Sequence, residues 1–337
     1  MASFVLDAAL KKLEAGGVVA IPTETVYGLA ARVDSVPGIQ KIFLTKQRPF
    51  FDPLIVHVSS KKMAATLTTD WSPLADFLAE HFWPGPLTLV LPKSSLVHSI
   101  ITSGLETVGI RMPKHTLALS LIDRLGVPLA APSANRFGKA SPTTADHVRQ
   151  EFPGQDILVL DGGPCEVGLE STVLSIQRQE SHYQLAILRA GAVKKSDIQR
   201  TLANQKFDVE FVENINKSAS PGQMKHHYMP EIPLVLVRNP QMSEKEILAQ
   251  AQARILQLPD QIDGVKIIKP KKFERSCRLS LPPEAAAAAR LLYSELRAVA
   301  MSRGVDLIYF VIQPHHQNED WLAIMDRLTK AGSLILD

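Results

Sequence analysis

Cysteine is nearly absent from this chain: Cys165 and Cys277 are the only two in 337 residues, and they show no CxxC spacing. That excludes a disulfide scaffold and a cysteine zinc site, and it fits a reducing compartment. The excess of one sign of charge is small as well. A formal net charge of +3 gives no bulk polyelectrolyte signal for nucleic acid. No apolar run approaches the ~18 residues of a membrane span. The opening stretch "MASFVLDAALKKLEAGG" carries Asp7, Lys11, Lys12 and Glu14 where a secretory leader needs an uncharged core. It reads as an amphipathic helix. The expectation is a soluble cytoplasmic protein with no membrane association. Familiar nucleotide signatures are missing too: there is no G-x-x-x-x-G-K-[ST] and no G-x-G, and neither G-x-S-x-G nor H-E-x-x-H occurs. A nucleotide bound here must be held by some less common device.

What is present is enough for two cores: 45% of residues are hydrophobic, and the length suggests two domains. The first two-thirds mix strand-like runs such as "VVAIP", "LIVHV", "LTLVLP", "TVGIRMP", "STVLSI" and "QLAILRAG" with helix-like ones such as "SPLADFLAEHF" and "TLALSLIDRLG". Several strands follow one another with no helix between, so the spacing predicts a mixed sheet. Around Val209 the apolar period lapses into "ENINKSASPGQMKHHYMPEIP", a connector by composition. A regular rhythm follows: strand "PLVLVRN", a helix opened by the capping box Ser243/Glu246, strand "GVKIIKP", a long helix between Pro282–Pro283 and Gly304, strand "DLIYFVI" and a last helix. We therefore read residues 1–208 as a catalytic α/β domain, 209–232 as a linker or lid, and 233–337 as a smaller Rossmann-like, doubly wound domain.

The candidate chemistry gathers at strand ends. In "IPTETVYGLA" two threonines flank Glu24 where an apolar strand stops. "TKQRPFFDPLIVH" puts Lys46 and Arg48 at a helix end, ahead of a turn and His57. A point charge and a guanidinium fork suit phosphate oxygens, although a basic helix end complementing its dipole would look the same. Arg111 stands inside an apolar strand, where a cation needs a carboxylate or phosphate partner unless that face is solvated. "LAAPSANRFGKASPTTADHV" supplies small residues and amide and hydroxyl groups after a strand, as a ligand cradle or as a plain loop. "GLESTVLS" and "LRAGA" repeat the theme with Ser171 and Arg189. Together they describe a polar, cationic pocket for a polyanion and a small amphoteric molecule.

In their order, "PTETVYGL", "TKQRPFFDPLIVH", "TVGIRMP", "APSAN" with "SPT", "GLESTV" and "LRAGAV" resemble the threonylcarbamoyl-AMP synthases with a YrdC-like domain. "SPGQMKHHYMP" resembles the "SPGMKYKHYAP" segment of the longer, two-domain members. The resemblance implies a YrdC-like twisted mixed sheet with flanking helices. It also implies synthesis of threonylcarbamoyl-adenylate and pyrophosphate from L-threonine, bicarbonate and ATP, for threonylcarbamoyladenosine modification of tRNA. Mg2+ would arrive bound with ATP, no dedicated protein metal site being visible, and the product would pass to the tRNA threonylcarbamoyl transferase machinery.

Carried over by motif, Thr25, His57, Arg111, Ala131 (through its backbone) and Ser171 resemble threonine or carbamate contacts. Lys46, Arg48, Asp52, Thr107, Ser133, Asn135, Ser141 and Arg189 resemble ATP contacts, with Lys46, Arg48 and Arg111 as the catalytic cations. Asp52 falls where the family commonly has Asn. His227 and Tyr228, with Ser220 and Gly222, match a segment that closes as a lid. A reading of another class is a tRNA- or double-stranded-RNA-binding or ribosome-assembly module without ATP chemistry, to which "KPKKFERSCR" would add phosphate contacts. Carbamoyl transfer from another donor is a further rival, but the zinc-finger regions that accompany it need a cysteine array this chain lacks.

Overall fold

A computed structural model describes residues 2–213, 221, 227–262 and 265–337. The chain divides into two compact units, Met1–Arg136 with Pro142–Gln223, and Phe137–Ser141 with Met224–Asp337. In the first unit the strands are β1 (Val19–Ile21), β2 (Gly28–Arg32), β3 (Ile55–His57), β4 (Leu87–Pro92), β5 (Thr107–Arg111), β6 (Leu129–Ala130), β7 (Leu158–Val159), β8 (Thr172–Arg178), β9 (Tyr183–Arg189) and β10 (Val209–Phe211). They form one ten-stranded sheet in the order β10-β9-β8-β4-β5-β3-β6-β2-β1-β7. Parallel and antiparallel pairs mix, as the helix-free connections predict: β3 runs parallel to β5, while β4 and β5, and β8 and β9, are antiparallel.

The period-two alternation of each strand decides what the two faces carry. Val56, Leu89, Ile110, Leu174 and Leu185 point into the main core. There they meet α2 (Val36–Lys46), α3 (Lys61–Thr66), α4 (Pro73–Phe82), α5 (Ser99–Thr102), α7 (Ala145–Glu151) and α8 (Lys195–Leu202), through residues such as Ile42, Leu78, Ile101, Val148 and Ile198. On the other face, α1 (Ala2–Glu14) and α6 (Thr116–Leu125) cover Val19, Ile21, Ala30 and Leu129. These two helices reach only the β7–β6 end. Further along, that face carries a small cluster of Ile55, Val90, Val173, Ala186 and Leu188, all strand residues. The side of the sheet is fixed by register: Val56 pairs with Ala130 and His57 with Leu129, so His57 shares the face of Leu129. Half of one face is thus left without a covering helix of its own unit.

In the second unit, β11 (Leu234–Val237), β14 (Ser276–Arg278), β15 (Leu307–Val311) and β16 (Gly332–Leu336) pair only in parallel, in the order β14-β15-β11-β16. β11 reads "LVLV" and is buried throughout, as a parallel strand with both faces covered requires. α9 (Glu244–Ile255), α10 (Ala285–Met301) and α11 (Leu322–Ala331) flank it. The Ser243/Glu246 capping box opens α9 as expected. This is the Rossmann-like shape the sequence implies, with different strands in it. "GVKIIKP" contributes only β13 (Val265–Lys266), which pairs with β12 (Gln261–Ile262) outside the parallel sheet. The edge strand comes instead from the basic stretch, at Ser276–Arg278, and the chain ends on a strand rather than on its last helix. Val209–Phe211 is likewise a strand, β10, where the connector is expected to start. Strands this short carry too few residues to show a period of two.

Candidate active site

The uncovered half of the first sheet collects most of the residues singled out in the sequence. On β5, Thr107, Gly109 and Arg111 alternate with Val108 and Ile110, which are core. Arg111 is therefore on the uncovered face, in register with His57. It is buried, not solvated, and it has its carboxylate: Nη2 lies 2.7 Å from Glu24 Oε2, a close ion pair rather than an aligned hydrogen bond. Nε donates to the Gly85 carbonyl at 3.1 Å and Nη1 to Thr25 Oγ1 at 2.9 Å. The backbone N–H of Lys114 donates to the same Glu24 oxygen at 2.9 Å.

The threonines flanking Glu24 have distinct tasks. Thr23 Oγ1 donates to the Val26 carbonyl at 2.6 Å and accepts the Thr25 and Val26 N–H groups, making a side-chain turn. The two hydroxyl oxygens lie 2.8 Å apart. Thr25 Oγ1 accepts from Arg111. The same loop is tied to the other motifs through backbone: Tyr27 N donates to the Pro142 carbonyl, Ala134 N to Tyr27, and Val167 N to Glu24. Strand ends distant in sequence are thereby held in one place.

His57 is buried, and its Nδ1 has no hydrogen-bond partner among the described residues. Burial, with the Arg111 charge beside it, pushes its pKa down to about 3, so the ring is neutral at physiological pH. Cys165 is no nucleophile: burial and the nearby Glu24 push its thiol up to about 12.

α2 ends in a Schellman turn. Arg48 N donates to the Phe43 carbonyl and Gln47 N to Leu44, with Gln47 left-handed at φ 53° and Pro49 following. Lys46 lies on the buried face of α2 with Ile39, Ile42 and Phe43, and the turn directs Arg48 inward, so neither is an exposed helix-end cation. Lys46 is fully buried and donates to the carbonyls of Ser133, at 2.6 Å, and Asn135. Burial and the Arg48 charge hold its pKa well below the usual lysine range. Arg48 clamps its own loop: Nε donates to the Asp52 carbonyl at 3.1 Å, Nη2 to Pro53 at 2.9 Å, and the Asp52 carboxylate lies 2.9 Å from Nη2. Asp52 is thus committed to Arg48.

Ser171 and Arg189 meet by a different device. Around Val173/Leu174 the register shifts: Val173 faces Arg189, but Leu174 faces Ile187. This bulge leaves Leu188 as the extra residue and turns Arg189 onto the face of Val173, away from the core that Leu185 enters. Arg189 then donates to the Ser171 carbonyl and to Ser171 Oγ, each at 3.2 Å, and to the Pro221 carbonyl at 3.2 Å. Pro53, Ile55, Thr88, Thr107, Gly109 and Pro221 line a small pocket on this face.

The first unit therefore brings together Thr25, His57 and Arg111, then Lys46 with Ser133 and Asn135, Arg48 with Asp52, and Ser171 with Arg189. Ala131 lies beside β3, its N–H donating to the Ile55 carbonyl at 2.9 Å. Ser141, His227 and Tyr228 fall in the second unit. Tyr228 is left-handed there, at φ 67°, with the Arg327 guanidinium over its ring and His227 N donating to the Lys330 carbonyl. Ser220 and Gly222 lie outside the described residues. Two side chains to which the sequence reading gave no role belong to the cluster, Glu24 and Thr88. Glu24 had a signal, a carboxylate between two hydroxyls next to a buried strand. For Thr88 the signal was fainter, one hydroxyl within "LTLVLP".

Residues 11–191 match the family model described as "Telomere recombination", and residues 193–333 match "Threonylcarbamoyl-AMP synthase, C-terminal domain". The chain is 35% identical to the threonylcarbamoyl-AMP synthase of Pyrococcus abyssi, over 94% of this chain and 91% of that one. It is 37% identical to that of Bacillus subtilis, over 94% and 89%. A crystal structure of P. abyssi Sua5 complexed with L-threonine superposes with a TM-score of 0.76 at 32% identity, covering 98% of this chain and 96% of that one. With both family models placed in order and whole-length relatives of this kind, the chain belongs to the threonylcarbamoyl-AMP synthase family, in its two-domain form.

Proposed function

We infer that the uncovered half of the first sheet is where L-threonine, bicarbonate and ATP are joined. The activity is that of an L-threonylcarbamoyladenylate synthase, a nucleotidyltransferase: the three substrates give threonylcarbamoyl-AMP, pyrophosphate and water. One observation carries the placement. Lys46 is wholly buried, faces two carbonyls, and has no carboxylate salt bridge among the described residues. A buried ammonium so placed is stabilised by an incoming phosphate.

No enzyme nucleophile is needed. The threonine amine attacks CO2 derived from bicarbonate, and the resulting carbamate oxygen attacks the α-phosphorus as pyrophosphate leaves. The residues position reactants and stabilise charge. Arg111, fixed by Glu24, Gly85 and Thr25, would hold the threonine carboxylate. Neutral His57 accepts a hydrogen bond beside it without repelling the ammonium. Lys46, Arg48, Thr107, Ser133, Asn135, Ser141 and Arg189 are assigned to the nucleotide, with Asp52 acting through Arg48. Mg2+ enters as the ATP complex, and its charge offsets that of the phosphates. We assign the metal to the phosphates.

The segment bearing His227 and Tyr228 is assigned as a lid that keeps water from the adenylate. We place the reaction in the cytoplasm, where its product would feed the tRNA threonylcarbamoyl transferase machinery; no described helix is long and apolar enough to cross a membrane. Nothing specific favours the RNA-binding reading: in the basic stretch Lys269 pairs with Asp260 and Lys272 with Glu274.

The deciding experiment measures pyrophosphate release with each substrate omitted in turn, and identifies the product by mass. Release should require all three substrates. Equal turnover with serine, or ADP and phosphate as products, would reject the assignment.

A further inference from the structure

Lys46 Nζ is held by two neutral acceptors, the Ser133 carbonyl at 2.6 Å and the Asn135 carbonyl. The residue is 1% exposed. The charged groups around it come from three elements: Arg48 from the turn after α2, Asp52 from the loop before β3, and Glu151 from the end of α7. Neither carboxylate forms a salt bridge with Lys46 among the described residues. Asp52 lies against Arg48 Nη2 at 2.9 Å, and Glu151 Oε1 accepts the Arg136 N–H at 3.0 Å. The loop that supplies the two carbonyls also carries the Arg136 guanidinium, whose Nε donates to the Glu151 carbonyl at 3.3 Å.

Burying an ionised amine without an anionic partner costs far more than burying a neutral one. The two carbonyl dipoles recover part of that cost, and Glu151 and Asp52 pull in the same direction. Loss of water and the Arg48 charge weigh more, and they hold the lysine pKa well below its usual range. A neutral amine has two N–H groups, one for each carbonyl, so the nitrogen stays in place without its charge. A phosphate arriving here reverses the balance. It sets anionic oxygens against a nitrogen already fixed by two bonds, and the third N–H of an ammonium is what such an oxygen accepts.

We propose that nucleotide binding takes up a proton at Lys46, which stands as an uncharged amine in the free enzyme and becomes an ammonium against the phosphates. The proposal rests on the reading that Lys46 touches the nucleotide. The proton comes from solvent, no covalent bond of the nucleotide changes, and departure of pyrophosphate returns it. The sign of the pH dependence follows. Lys46 holds its proton more tightly in the complex than in the free enzyme, so affinity is highest below the free-enzyme pKa. It falls as pH rises through the interval between the two values, by up to about tenfold per pH unit. The free site thus carries less positive charge than its residue types suggest, and gains it where the phosphates sit.

The test follows MgATP binding to the full-length protein by calorimetry at about pH 8, with L-threonine omitted so that no product forms. Titrations in Tris and in HEPES, which differ in heat of ionisation, give the number of protons taken up. Wild type should take up close to one proton per nucleotide. Lys46→Met should bind about tenfold more weakly or worse, and without that uptake. Absence of uptake by wild type overturns the proposal, and so does undiminished uptake in Lys46→Met. Unchanged MgATP affinity in Lys46→Met overturns instead the reading that Lys46 touches the nucleotide. Should the methionine variant fail to fold or to bind, wild type alone decides, through nitrogen-15 spectra of its lysine side chains. One Nζ resonance that moves from the amine to the ammonium position as MgATP is added supports the proposal. A free protein whose lysines are all ammonium at that pH overturns it.

Discussion

Glu24 and Arg111 approach to 2.7 Å with side-chain exposures of 2% and 4%, so each has exchanged its water for the other. Glu24 comes from a loop after the first strand and Arg111 from the interior of another. The pair binds the two while leaving part of the guanidinium available on the uncovered face. A buried pair of this kind adds little stability over an apolar substitute, but breaking it strands a charge. Its use here is to hold Arg111 in one orientation.

Glu24→Gln should therefore destabilise the protein by about 3–5 kcal/mol, the usual cost of orphaning a buried charge. Urea unfolding measures it. Combining Glu24→Leu with Arg111→Met should restore most of that stability while pyrophosphate release stays abolished. A Glu24→Gln protein with wild-type stability would show that solvent reaches Arg111.

Arg48→Lys keeps the charge but loses the fork that holds the Asp52 and Pro53 carbonyls. We expect a rise in KM for ATP of about tenfold or more, the loss of one or more charge-assisted hydrogen bonds. Near-normal kinetics would mean that charge alone suffices at this position.

His57 sets a pH dependence. Its pKa is about 3 in the folded protein, against 6.5 ordinarily, because burial and Arg111 disfavour the cation. Between those values the unfolded chain holds a proton that the folded one lacks. Stability is therefore fully present above pH about 6.5 and declines as pH falls toward 3, by up to ~1.4 kcal/mol per pH unit. Buried His316, lowered to about 4, adds a similar slope, so the comparison must be between proteins. Denaturant midpoints at several pH values should show a shallower acid decline for His57→Gln than for wild type. Parallel curves would contradict a neutral His57.

Gln47 is held at φ 53° to close the turn between Lys46 and Arg48. A non-glycine residue there carries a strain of about 1–2 kcal/mol, partly offset in the Gly variant by greater unfolded-state freedom. Gln47→Gly should raise stability by about 1 kcal/mol without raising KM for ATP. A loss of stability would mean that the glutamine side chain makes compensating contacts.

What the sequence determined by itself was local. Apolar periods and caps placed α4, α6 and α9, the consecutive strands required a mixed sheet, and the order of the short motifs implied the family. Period two already put Arg111 on the face opposite Val108 and Ile110. Only the tertiary structure decided which partners those groups would meet. Glu24 reaches Arg111 because β1 and β5 belong to one sheet, and Lys46, on the buried face of α2, meets the carbonyls of Ser133 and Asn135 from a loop distant in sequence. Arg189 reaches Ser171 because a bulge inserts one residue into β9, a change of register that strand alternation conceals. Thr88 meets Ser171 because β4 and β8 pair in parallel register. Each of these depends on contacts between residues far apart in the chain, whose energies no local pattern of apolar and polar residues encodes.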